Sequence, residues 1–118
     1  MAVTYNTVID QGADWYINFT YKNPNGTAIN LTGYSAALQI RTSPLAATAV
    51  LTLTSPSSGI TITGATGLIA CHATAAQTAL ITNGKYAYDI EITAPTTGVV
   101  TRLVQGTVQV SPQVTRTP

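Results

Sequence analysis

Three stretches of this chain alternate apolar and polar residues without interruption. In "DWYINFTY", Trp15, Ile17, Phe19 and Tyr21 fall on one side of an extended backbone, and Asp14, Tyr16, Asn18 and Thr20 on the other. In "SAALQIRT", Ala36, Leu38 and Ile40 share one face and Ala37, Gln39 and Arg41 the opposite one. "KYAYDIEIT" places Tyr86, Tyr88, Ile90 and Ile92 together and leaves Asp89 and Glu91 on the other side. A period of two suits a strand with one buried and one wet face, whereas a helix would scatter the same apolar residues around its circumference. The core is therefore expected between layers of sheet.

The segments between these stretches are built to turn. "NPNG" reverses the chain, with Pro24 pre-setting φ and Gly26 free to take positive φ. "NLTGY" follows: Asn30 and Thr32 can hydrogen-bond to nearby backbone, Gly33 admits a conformation closed to other residues, and Leu31 and Tyr34 anchor the bend by burying apolar surface. Further strands are expected at "AVLTLT" (49–54), "ITIT" (60–63), "LIACH" (68–72) and "VVTRLVQGTVQV" (99–110), where Gly106 is read as a bulge or bend. "TAAQTALI" differs, because Thr74 and Gln77 have capping-box spacing ahead of helix-favouring alanines, so one short helical turn is predicted. The expected fold is all-β: an immunoglobulin-like antiparallel β-sandwich of about seven strands over residues 1–110, with 111–118 as a tail or arm.

Charge narrows the function. Charged residues make up 8% of the 118 and the net charge is +1, against about 25% charged in an average domain. Lys22, Arg41, Lys85, Arg102 and Arg116 are scattered, so no basic patch for nucleic acid forms. A surface of Thr, Ser, Asn, Gln and Ala offers little repulsion between copies, which suits a subunit docked in an assembly. "MAVTYNTVIDQ" resembles neither a secretion signal nor a membrane anchor, so synthesis in a cytoplasm is expected and no membrane partner.

Catalytic constellations are weak. Asp89 and Glu91 alternate with core residues and read as decoration of a strand's solvent face, opposite Arg102. Cys71 and His72 are adjacent in a strand, so they point to opposite faces and cannot act together on a metal or a substrate. "GATG" opens no helix and makes no phosphate loop, and the N-x-Thr triplets at Asn18, Asn25 and Asn30 read as strand and turn chemistry. No enzyme activity, metal or cofactor is expected.

The segments "VIDQGADW", "INLTGYSAALQIRT", "GKYAYDIEIT" and "VTRLVQGTVQVSPQVTR", in this order, resemble small tailed-phage virion proteins. The order of an NG hairpin, LTGY and a strand ending in Arg is similar to the N-terminal docking domain of phage baseplate upper proteins. The resemblance covers most of the chain and implies a non-enzymatic structural protein of the virion, made in the host cytoplasm and present in many symmetric copies. It implies an accessory docking or adaptor subunit of tail, neck or baseplate, with a capsid decoration (cement) protein as the alternative. Its partners would be other virion proteins, reached by strand pairing at an exposed edge. Val3, Tyr5 and Val8, as part of an edge strand from Val3 to Val8, and Val114 and Arg116 in the tail are the expected partner contacts. A carbohydrate-binding module, with Tyr16 and Tyr34 as an exposed aromatic pair, is the alternative from another class.

Overall fold

The computed structural model describes residues 3–55 and 59–114. Its strands are β1 (Val3–Thr4), β2 (Thr7–Asp10), β3 (Trp15–Thr20), β4 (Ser35–Arg41), β5 (Leu51–Thr54), β6 (Ile60–Thr63), β7 (Leu68–Ala73), β8 (Gly84–Thr93) and β9 (Val100–Ser111). A 3₁₀ turn, Gly64–Thr66, joins β6 to β7, and helix α1 spans Ala75–Ala79. The protein is an all-β sandwich of two sheets. In the larger sheet β9, β8, β4 and β5 lie side by side, and β1 and β2 follow one another along the outer edge of β9. The smaller sheet has β7 between β3 and β6.

Alternation becomes burial as expected. Leu38, Ile40, Ile90 and Ile92 point inward from the larger sheet, and Ile17, Ile60, Ile69 and Cys71 from the smaller, all within one core. Burying each large aliphatic side chain contributes about 1.5–3 kcal/mol, which is how a chain without a disulfide holds two layers together. Asn30 Oδ1 accepts from the Thr32 amide at 2.9 Å and from its hydroxyl at 2.6 Å, Gly33 takes φ +85°, and Leu31 is fully buried. The "NLTGY" bend thus fixes the register of β4. Thr74 caps α1 with the reciprocal bonds to Gln77 that its spacing predicts.

Two features depart from the sequence reading. The sheet is not wholly antiparallel, since β1 and β2 run parallel to β9 and bring the strand number to nine. The bulge is also not at Gly106. Ile90 faces Val104 but Glu91 faces Arg102, so Leu103 is the extra residue, and both Leu103 and Val104 turn into the core. Pairing runs straight through Gly106, whose role is close approach: a Cβ there would collide with the Tyr5 carbonyl oxygen. Gly106→Val should therefore push the N-terminal edge off β9 at a cost of about 1–3 kcal/mol. Hydrogen exchange at the Tyr5 amide, which donates to Gln105 O at 2.8 Å, should accelerate well before exchange within β4 and β8.

Candidate functional site

The edge formed by β1 and β2 carries three of the residues singled out by sequence. Val3, Tyr5 and Val8 are each about half exposed, at 52%, 52% and 54%. Among the described residues nothing pairs with the outer side of these strands. The three share an edge but not a face. Val3 is in register with the buried Val104 and lies beside Phe19, Tyr21 and Leu103, whereas Val8 is in register with Gln109 on the outer face.

Between the two short strands the backbone is fixed from three directions. The Tyr5 amide bonds Gln105, the Tyr5 carbonyl accepts from Tyr88 Oη at 2.6 Å, and Asn6 Oδ1 accepts from the Thr107 amide at 3.1 Å. The Asn6 side chain thereby replaces a missing rung of the ladder. Burial pushes the Tyr88 hydroxyl up to about 12, with Tyr5 and Cys71 adding to it, so it stays protonated and keeps donating. Tyr5 is consequently presented to solvent on a braced backbone.

The C-terminal segment starts from the far end of the same edge. The Gln113 amide donates to Gln11 Oε1 at 3.0 Å, and Gln11 Nε2 donates to Ile81 O at 2.8 Å. Val114 follows, almost wholly exposed. Arg116 lies outside the described residues.

The other constellations fall as follows. Arg102 Nε is 3.3 Å from Asp89 Oδ2, and Glu91 faces Arg102 across the β8–β9 ladder. Cys71 is buried between Ile17 and Ile60, and desolvation pushes its thiol up to about 12. Its neighbour His72 points the other way, stacked on Tyr16 with ring centroids 4.4 Å apart and 3.1 Å from Asp14 Oδ2. Sequence reasoning did not find this Asp14–His72–Tyr16 cluster, because only the β3–β7 register, which sets Tyr16 opposite His72, brings it together. Among the described residues no hydroxyl or thiol bonds His72. Tyr16 is exposed but Tyr34 packs half-buried against the core, so the two do not form an aromatic pair. Compared with protein-family models and with curated protein sequences, the chain matches none.

Proposed function

We propose that the chain is a non-enzymatic structural subunit of a tailed-phage virion, an accessory docking or adaptor module of tail, neck or baseplate. It would attach to other virion proteins, in several symmetric copies, by strand addition at the β1–β2 edge. One observation carries the reading. Sheet edges are ordinarily blunted by lysine, proline or inward charges, yet β1 and β2 read "VT" and "TVID", with Asp10 the sole charge, and they present exposed Val3, Tyr5 and Val8 around a braced backbone. Such an edge invites a partner strand.

Charging it tests the reading. Val3→Lys and Val8→Lys alter exposed side chains, so each should change stability by no more than about 0.5 kcal/mol. Together they should nonetheless remove the subunit from purified particles, as quantified by mass spectrometry against the major capsid protein. A few to a few dozen wild-type copies per particle fits a tail, neck or baseplate part, and hundreds would move it to the capsid shell as a cement protein. Absence of the wild-type chain from particles would overturn the reading, as would full incorporation of the charged variant.

A further inference from the structure

The outer face of the larger sheet holds a trough of about 620 Å³. Small residues, Ala37 on β4 and Ala87 on β8, form its floor. Long polar side chains surround that floor in register. Gln39, Asp89 and Gln105 make one row across β4, β8 and β9; Glu91 and Arg102 stand beside Ala37, and Arg41 beside Ala87. This concentrates charge in a chain that has little, since two of the five basic and two of the four acidic residues line this one trough.

The walls are positioned but not saturated. Arg102 pairs with Asp89 and its Nη1 donates to Gln105 Oε1 at 3.2 Å. Arg41 donates to Gln39 Oε1 at 2.6 Å and to the Ala46 carbonyl at 2.8 Å. Each guanidinium has five N–H donors, so donors remain. Among the described residues no group donates to Asp89 Oδ1 or to either Glu91 oxygen.

We propose that this trough binds a short neutral oligosaccharide. Sugar hydroxyls are donors and acceptors at once, and they need carboxylates beside guanidinium and amide groups with no net charge. The trough supplies that set: hydroxyls donate to Glu91 and Asp89 and accept from Arg41, Arg102 and the glutamine amides, while C–H faces rest on Ala37 and Ala87. Its volume lies within the roughly 300–1,000 Å³ of ligand sites. The balance of two cations and two anions disfavours a phosphorylated ligand or nucleic acid, which would draw on excess positive charge. A protein partner is disfavoured too, because interfaces centre on aromatic or apolar anchors, and Tyr88, the one aromatic lining the trough, is only 4% exposed. The proposal goes beyond docking, because the trough crosses the face of β4, β8 and β9 and only Thr4 and Asn6 of the docking edge reach its rim.

The test is a two-dimensional ¹H–¹⁵N titration of the full chain with maltotriose, cellotriose, triacetylchitotriose and mannotriose, alongside trigalacturonate and inorganic phosphate. At least one neutral sugar should give saturable shifts centred on Gln39, Ala87, Asp89 and Gln105. Glu91→Ala, which removes acceptors, and Ala87→Leu, which fills the floor, should each weaken binding at least tenfold, equivalent to about 1.4 kcal/mol, with the spectrum otherwise unchanged. The proposal is overturned if no neutral sugar binds saturably, if only trigalacturonate or phosphate does, or if the shifts map to the Tyr16–His72 face. Unchanged affinity in Glu91→Ala would overturn it as well, and that variant alters only a solvent-side side chain. Particle incorporation, which reads the docking edge, stays a separate measurement.

Discussion

Replacing Leu38 by alanine is expected to lower stability by about 2–5 kcal/mol, with the result in the upper half of that range. Leu38 is fully buried on β4 and sits in a continuous row, opposite Leu53 on one side and Ile90 on the other, with Val104 next beyond Ile90. Each neighbour is held by its own ladder, so the space left by the lost side chain cannot be closed by a local shift. Cost rises with the volume of cavity that remains. Against the roughly 5–15 kcal/mol that stabilises a typical domain, that loss brings the fold near its threshold. Urea denaturation should show a lower midpoint with an unchanged m-value, the sign of altered stability without altered surface exposure. Thr52→Ala, on the exposed outer face of neighbouring β5, should stay within about 0.5 kcal/mol of wild type. A Leu38→Ala midpoint equally close to wild type would contradict a core shared between the two sheets.

What the sequence disclosed and what it withheld divide along the range of the interactions. Alternation at Trp15 to Tyr21, the bend at Asn30 to Tyr34 and the Thr74–Gln77 capping box are set by neighbours a few residues apart, and all three take the predicted form. The N-terminal strands are different. Their partner is a hundred residues away, with Val3 on Val104 and Thr7 on Val108, and no local pattern distinguishes parallel from antiparallel pairing across such a gap. Gly106 alone reads as a bulge or bend, yet glycine in a strand equally suits a close approach of another backbone. Only the passage of Tyr5 over it decides between them. The bulge falls at Leu103, with no glycine beside it, so it leaves no compositional mark.

The same division governs the candidate sites. Exposure of Val3, Tyr5 and Val8 could be anticipated from a short apolar segment without charge, but the bracing of Tyr5 by Tyr88, Gln105 and Asn6 could not. The trough is invisible along the chain, because Ala37, Glu91 and Arg102 become neighbours only through the register of three strands. In the sequence, Asp89 and Glu91 read as decoration on a wet strand face. Their position is as expected, and two arginines and two glutamines gather around them on that face.

Raising the pH above 9 is expected to destabilise the fold. In the unfolded chain Cys71 loses its proton around its ordinary value of 9.0, while burial in the fold pushes it up to about 12. Between those values the native state holds more protons than the unfolded state, so stability falls as pH rises, and below pH 9 the thiol contributes no pH dependence. Roughly three pH units at about 1.4 kcal/mol each set an upper bound near 4 kcal/mol for this one group. Tyr88, pushed up from 10.0 to about 12, acts in the same direction over the upper part of that window. Denaturation at successive pH values should therefore show a midpoint that is level to pH 9 and declines beyond it. Cys71→Ala should be less stable at neutral pH but should begin its decline only near pH 10, where Tyr88 starts to contribute. Equal pH slopes in the two proteins would rule out burial of the thiol as the cause. A protonated buried thiol is also a poor nucleophile, so a thiol-reactive probe should label native Cys71 only as fast as the sandwich opens. Tyr88 extends the argument to the β1–β2 edge, because its ionisation removes the proton donated to the Tyr5 carbonyl, and that edge should therefore loosen as the hydroxyl titrates.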